Sequence, residues 1–210
     1  MRKWFPQLNP VILLIVMAYF VLTTAAGFLP PMFALFVTTG IAGTTAASVG
    51  IAITAYWVTK SVLQLFVARF IDRNHGEIDD FYFMIAGGFL NAIFISLYYF
   101  VSHASEMYAL QILLGAADAM VIPPFYAIFT RHVDKGKEGF EWALFSSFSV
   151  GAGSALGGVL GGVLGAGIGF RAVFPMVGVL TLVATIMLMF LRPYILPRVK
   201  PAIPRIFIEK

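Results

Sequence analysis

Six long apolar stretches follow one another along the chain and leave little room for any other structure. Each is long enough to cross about 30 Å of hydrocarbon, which takes roughly 20 apolar residues in a helix. Because lipid offers the backbone no hydrogen-bond partner, a crossing segment of this kind has to be helical. The sequence therefore predicts an all-α membrane bundle with six spans, 11–37, 44–70, 81–101, 107–130, 140–168 and 172–191.

The composition favours a membrane protein over a soluble one. Hydrophobic residues make up 60% of the 210 residues and charged residues 11%, whereas a soluble domain carries about 25% charged residues. The net charge of +4 does not indicate nucleic-acid binding, since Lys and Arg lie at the ends of the apolar runs. There is no Cys, and His75, His103 and His132 lie near different helix ends. We therefore predict neither a disulfide nor a metal site.

Positive charges lie almost entirely on one side of the predicted bundle. The loops after spans two and four are basic, and those after spans one and three carry almost no Lys or Arg. Since basic loops stay in the cytoplasm, both termini and a basic tail at 193–210 are expected there, in a bacterial-type cytoplasmic (inner) membrane. Arg171 is the exception on the other side. The cytoplasmic set is Arg2, Lys3, Arg69, Arg73, Arg131, Lys135, Lys137, Arg192, Arg198, Lys200, Arg205 and Lys210.

Two ionisable residues lie deep inside the predicted spans. Lys60 precedes Arg69 by nine residues, about 13 Å along a helix, and Asp118 precedes Arg131 by thirteen, about 20 Å. A charge at the centre of a bilayer costs about 2.5–3.5 kcal/mol on insertion scales. Neither side chain is therefore expected to face lipid.

Polar residues share a helix face with each of these charges, at spacings of three or four residues. We hypothesise a polar cavity lined by spans one, two and four, in which Asp118 titrates or binds a cation and Lys60 attracts an anionic group. The alternative is a structural ion pair between the two residues that fixes the register of the helices. The candidate residues for binding and coupling are Lys60, Asp118, Gln64, Gln111, Tyr19, Thr23 and Tyr56.

Prolines and glycines indicate interruptions in spans one and four and close helix packing in span five. The segment 27–31 interrupts span one and Pro123-Pro124 interrupts span four, which indicates either packing kinks or helices that bend around a cavity. In span five, glycines recur every fourth residue, a spacing that lets two helix backbones approach closely. The partner helix belongs either to this chain or to another. The glycines expected to serve helix packing or a dimer interface are Gly153, Gly157, Gly158, Gly161 and Gly165.

The junction after span two carries Asp72-Arg73, with Ala68 four residues before the Asp and Gly76 four residues after it. This stretch resembles the same junction in the N-terminal half of a major facilitator superfamily transporter. The family carries a Gly, then Asp with Arg or Lys, then a second Gly and basic residues, so that Asp72-Arg73 match and Ala68 and Gly76 lie at or near the glycine positions. The resemblance implies that Asp72 and Arg73 help to lock a cytoplasmic gate, the carboxylate acting on a neighbouring helix and its dipole.

Spans four to six carry further parts of this resemblance. In span five, the segment 149–158 resembles the glycine-rich motif of the family, and 169–174 resembles the junction into span six. In span four, Gln111 takes the place of an Arg that is frequent in the family, and Asp118 is a candidate to substitute for it.

The resemblance implies a secondary active transporter of a small solute with no cofactor, for which proton or sodium coupling is possible. In the family, two six-helix halves are parallel repeats about an axis along the membrane normal, and substrate binds between them. Six spans then predict a homodimer that forms a twelve-helix alternating-access assembly, with span two of one copy against span five of the other. The expected partners are the lipid bilayer, a second copy and a small-molecule substrate, and nucleic acid is not among them.

Other functions stay open at this point. The chain is alternatively a non-transporting membrane module, or one half of a heteromeric or truncated transporter, although 206–210 reads as a natural end. An enzyme is not expected, because the spans carry no paired-carboxylate metal motif and no Ser with a candidate His base. Asp79 and Asp80, at the start of span three, are expected to cap that helix. An ion channel stays open as well, although the sequence shows no filter-like loop.

Overall fold

The described part of the protein consists of helices and short connections, with no strand among residues 8–74 and 76–195 of this computed structural model. Six segments within these ranges are long and apolar enough to cross a membrane. This confirms the predicted all-α bundle. The spans are Pro10–Gly40, Ala46–Arg73, Glu77–Phe100, Ala104–His132, Glu138–Ile168 and Phe170–Ile195.

Several predicted features lie outside the described residues. They are His75, the basic residues at both ends of the chain, and residues 196–210 of the predicted tail. The terminal basic residues concerned are Arg2, Lys3, Arg198, Lys200, Arg205 and Lys210.

Span one is broken into two helices where its sequence predicts an interruption. The first helix, Pro10–Gly27, begins after Asn9, whose Oδ1 accepts a hydrogen bond of 2.9 Å from the backbone N–H of Val11. The second, Leu29–Gly40, has Pro30 in its first turn, where a missing backbone N–H costs nothing. We refer to the two ends of the bundle as the Asn9 end and the Gly40 end.

Span four is not interrupted at Pro123-Pro124, although its sequence predicts an interruption there. The helix continues from Ala104 to His132 with both prolines inside it. Spans two and three pack along this helix, and close neighbours of this kind hold a membrane helix together where proline removes backbone donors.

Span five departs from regular α-helix at a place that the sequence analysis did not anticipate. A wider π-helical segment, Phe145–Ala152, separates the helices Glu138–Leu144 and Gly153–Ile168. Span one holds this segment through two hydroxyl groups. The buried Ser149 donates from Oγ to the carbonyl of Val16 at 2.8 Å, and its own carbonyl accepts from Thr23. Thr23 thus satisfies a carbonyl of the π-helical segment, where the helical hydrogen-bond pattern changes.

The spans pack in a series rather than in a closed ring. Span two packs mainly on span four, four on three, three on six, six on one, and one on five. Spans two and five are the ends of the series, and only 6% and 22% of their most apolar windows are buried. The corresponding share in the other four spans is 44–56%.

Two apolar cores hold the series together, one at each level of the bundle. The core at the Asn9 end includes Ile12 and Phe129, and the core at the Gly40 end includes Phe36 and Phe174. At the Gly40 end the Arg171 guanidinium also donates to the carbonyls of two helix ends. It bonds Tyr99 at 3.1 Å and Gly40 at 3.0 Å, which ties span six to spans three and one.

The Asn9 end is held by a buried ion pair. Asp80 is fully buried and accepts a hydrogen bond from the guanidinium of Arg131, which joins spans three and four. The expectation that Asp80 caps span three was therefore wrong. The helix already begins at Glu77, so both Asp79 and Asp80 lie within its first turn, where negative charge interacts favourably with the helix dipole.

The glycine stripe of span five packs inside the chain. A Cβ on Gly161 would lie 2.7 Å from the Cα of Phe28, and a Cβ on Gly157 would lie 2.8 Å from the Cα of Gly27. Both neighbours belong to span one, so the partner helix is in the same chain. Gly153 and Gly165 are likewise buried against span one, which removes these four glycines from a dimer interface. Gly158, on another face, has no such neighbour.

We predict that Gly157→Ala destabilises the protein and Gly158→Ala does not. A methyl group at Gly157 would meet backbone atoms of span one that cannot rotate away, and overpacking of this kind costs about 1–3 kcal/mol. A methyl group at Gly158 has open space within 4 Å. Thermal unfolding of the detergent-purified variants checks this, and equal melting temperatures would contradict the close approach of spans one and five.

Candidate functional site

A cavity of about 600 Å³ lies in the bundle between the two apolar cores. Its walls come from spans one, two, three, four and six, and none of its lining residues belongs to span five. Most of the wall is aliphatic or aromatic. The polar or ionisable residues that line it are Tyr19, Thr23, Tyr56, Lys60, Asn91, Tyr98, Gln111, Asp118, Thr181 and Thr185, together with the indole of Trp57.

The two charges that the sequence places in the spans meet in this cavity. The Lys60 Nζ lies 3.1 Å from Asp118 Oδ2. The hydroxyl of Tyr56 donates to the same carboxylate oxygen, and Lys60 Nζ lies 3.2 Å from the hydroxyl oxygen. Asn91 Nδ2 donates to the other carboxylate oxygen at 2.8 Å. Both oxygens of Asp118 therefore have partners from the protein, as a charge within a membrane requires.

Glycines bring the contributing helices close enough for this cluster to form. A Cβ on Gly115 of span four would lie 2.5 Å from the carbonyl oxygen of Tyr56 and 3.2 Å from the backbone nitrogen of Lys60. A Cβ on Gly87 of span three would lie 2.8 Å from the carbonyl oxygen of Ala117. Glycine at these two positions therefore allows spans two and three to touch span four beside Asp118.

The structure brings together six of the seven residues that the sequence analysis proposed for binding and coupling. Gln64 is the exception, because it is not among the residues that line the cavity. It follows Lys60 by one helical turn towards the Asn9 end. The six that line the cavity are Tyr19, Thr23, Tyr56, Lys60, Gln111 and Asp118.

Sequence reasoning missed the contributions of spans three and six and one aromatic side chain of span two. Asn91 had a usable signal, since a lone amide inside an apolar span needs a partner there. Thr181 and Thr185 line the cavity, but their hydroxyls donate to carbonyls of their own helix, at 2.9 and 2.8 Å. The ring centroid of Trp57 lies 4.9 Å from Lys60 Nζ, a contact that only the fold reveals.

Asp72 and Arg73 lie far from this cavity, at the Asn9 end of span two. Both are exposed, and with Leu65, Ala68 and Arg69 they line a shallow surface groove. Within the described ranges, neither side chain forms an ion pair or a side-chain hydrogen bond.

The cavity offers a paired carboxylate and ammonium, three phenols and two amides, surrounded by mainly apolar walls. Such a set can bind a polar or charged solute, or exchange a proton, inside the bundle. Among the described residues, no group of three or more His, Asp or Glu side chains is placed to hold a metal ion.

Comparison with known families agrees with the membrane fold. The sequence model of the Major Facilitator Superfamily matches residues 12–208, which extend from span one to beyond span six. No curated protein matches the chain. The match covers almost all of the 210 residues and confirms the family that the sequence motifs indicated. The chain is a multi-pass membrane protein and belongs to the Major Facilitator Superfamily, a family of membrane transporters.

Proposed function

We propose that this protein is a secondary active transporter of a small solute and that the solute binds in the cavity beside Lys60 and Asp118. The observation that carries the proposal is a carboxylate–ammonium pair exposed to a cavity near the middle of an apolar bundle. The side chain of Asp118 is 25% exposed and that of Lys60 is 13% exposed. Charges that only fixed helix register would not need a cavity of about 600 Å³ beside them.

The size and lining of the cavity support a binding role. Sites for small molecules measure about 300–1,000 Å³ and combine apolar walls with a few polar groups that fix orientation. This cavity has that volume and composition. Coupling would act through Asp118, since a proton or a sodium ion at the carboxylate would compete with Lys60 and change the charge of the site.

We further propose that transport requires a homodimer, with span two of each copy packed on span five of the other. The two spans at the ends of the packing series are also the least buried. A two-fold axis along the membrane normal would bring these ends together twice and form a twelve-helix assembly with two cavities facing each other. Interfaces of this type use the same two surfaces on both subunits.

The surfaces available for this dimer support the pairing. On span five, the stripe buried against span one is already used, which leaves Gly158 and the neighbouring exposed residues for a partner. On span two, Asp72 and Arg73 lie exposed at the Asn9 end, where the first residues of span five also lie. Asp72 would then lock the gate by acting on the partner's span five. Both termini would face the cytoplasm in this arrangement.

We predict that Asp118→Asn abolishes transport and leaves the protein folded. The amide keeps the shape of the carboxylate and can accept hydrogen bonds at one oxygen, but it cannot balance the charge of Lys60 or carry a proton. Solid-supported membrane currents from proteoliposomes, recorded with a panel of small anions, zwitterions and organic cations, check this. Runs with and without proton and sodium gradients identify the coupling ion.

Gln64→Ala is the matched control, since Gln64 lies on the same helix as Lys60 but does not line the cavity. It should keep the wild-type currents. Normal currents from Asp118→Asn would contradict the proposed role of the cavity. A variant that no longer folds would instead favour the register-fixing ion pair.

We predict intermolecular crosslinks between spans two and five. Because the chain has no Cys, single cysteines can be introduced without altering the background. Val62 and Val150 are exposed and lie roughly ten residues from the Asn9 ends of their helices. Differently tagged Val62→Cys and Val150→Cys proteins, coexpressed and oxidised in native membranes, should form a heterotypic crosslink.

Ile186→Cys is the control for this experiment, since Ile186 is exposed on span six at a similar depth. It should not crosslink to Val62→Cys. The absence of any crosslink between spans two and five would contradict the homodimer. Capture of a different membrane protein at the same positions would favour a heteromeric transporter.

A further inference from the structure

The ammonium group of Lys60 occupies a site that has the chemistry of a receptor for organic cations. One carboxylate oxygen of Asp118 lies 3.1 Å away, and the hydroxyl oxygen of Tyr56 lies 3.2 Å away. The ring centroids of Trp57 and Tyr56 lie 4.9 and 5.4 Å from the same nitrogen. Aromatic faces at these distances attract cations and repel anions. The groups around Lys60 therefore select for positive charge.

The two charged partners differ in how they are held: Asp118 accepts hydrogen bonds at both of its oxygens, whereas Lys60 has the longer and more flexible side chain. Asn91 holds the second oxygen of Asp118 from span three at 2.8 Å, and the close approach at Gly115 holds span four against span two. Lys60 reaches the site through a flexible four-carbon stem, and its helix is the least buried of the six spans. Lysine side chains of this kind can extend along a helix towards water.

This asymmetry determines which solute charge can be accommodated. A cation can take the position of the Lys60 ammonium while the carboxylate, the phenol and the aromatic faces stay in place. An anion would have to draw Lys60 away from Asp118 and then lie beside the carboxylate and two aromatic rings. The site thus favours a cationic ligand, which reverses the expectation that Lys60 attracts an anionic group.

The lining of the rest of the cavity indicates what the uncharged part of that ligand is like. Its walls are mainly aliphatic and aromatic, and the hydroxyls of Thr181 and Thr185 already donate to backbone carbonyls. About 600 Å³ is enough for a drug-sized molecule. An apolar or aromatic body with a single positive charge fits this combination better than a small hydrophilic ion does.

We infer that the cavity binds amphipathic organic cations and that Lys60 is a tethered competitor, whose ammonium fills the cation site until a ligand displaces it. This inference rests on the proposed function, because it takes the cavity to be the solute-binding site. It adds the chemical class of the solute and a role for Lys60 that transport alone does not imply.

Isothermal titration of the detergent-purified protein with tetraphenylphosphonium tests the inference, and tetraphenylborate serves as the probe of matched size and opposite charge. We expect Lys60→Met to bind tetraphenylphosphonium at least tenfold more tightly than wild type, because the competitor is gone. Asp118→Asn should weaken binding at least tenfold. Tetraphenylborate should show neither change. Gln64→Met, on the same helix outside the cavity, should bind both probes as wild type does.

Unchanged or weaker binding of tetraphenylphosphonium by Lys60→Met would overturn the inference. Tighter binding of tetraphenylborate than of tetraphenylphosphonium by wild type, lost on removal of Lys60, would also overturn it. If Lys60→Met does not fold, Lys60→Gln replaces it, and the response of Asp118→Asn alone still decides whether the carboxylate holds the cation.

The titration needs neither vesicles nor a gradient, so its outcome is independent of transport. Solute currents that depend on Asp118, together with no Asp118-dependent binding of tetraphenylphosphonium, would contradict the cation-site inference and support the transport function. Tetraphenylphosphonium binding that follows the expected pattern, together with no current for any solute, would support the cation site and contradict the transport function.

Discussion

The structure is organised around a carboxylate that an apolar bundle must accommodate. Asp118 lies in the middle of span four, where a lone charge is costly, and the surrounding helices supply partners for both of its oxygens. Lys60 and Tyr56 come from span two and Asn91 comes from span three. These contacts join three helices at one charged side chain. The ion pair therefore connects the helices as well as lining the cavity, and we propose that its role is solute binding rather than helix register.

Close helix contacts at glycine are what make this arrangement possible. Gly115 and Gly87 let spans two and three reach span four beside Asp118, and the stripe in span five lets it lie directly on span one. The two apolar cores fill the bundle towards its Asn9 end and its Gly40 end, so the cavity lies between them at the level of Lys60 and Asp118. The least buried spans are left at the two ends of the series, where a partner can pack.

The sequence predicted the elements of this protein better than their contacts. Six spans, the break in span one and the buried charges all follow from apolar length, proline and the cost of charge in lipid. The partner of the glycine stripe did not, because small residues at every fourth position show that a helix is approached closely but not by which helix. Asn91 has no polar neighbour one turn away on its own helix to mark it, although a lone amide in an apolar span also needs a hydrogen-bond partner.

Other features depend on interactions that no local pattern encodes. Asp80 resembles a helix cap in sequence, but the helix begins earlier and Arg131 is brought to it from 51 residues away. Pro123-Pro124 reads as a break, but neighbouring helices keep span four intact. The π-helical segment of span five exchanges hydrogen bonds with span one through Ser149 and Thr23, and only the packing of the two spans brings these partners together.

The central claim is that the charges of Lys60 and Asp118 serve transport rather than helix register. The double variant K60M/D118N tests it most directly, since it removes both charges while keeping similar shapes, and neutral replacement of a buried ion pair often costs little stability. Thermal unfolding and solute currents should be measured on the same preparation. We expect a melting temperature within a few degrees of wild type, which corresponds to a change in the free energy of unfolding on the order of 1 kcal/mol. We also expect no solute current. Wild-type currents from this folded, uncharged variant would contradict the claim.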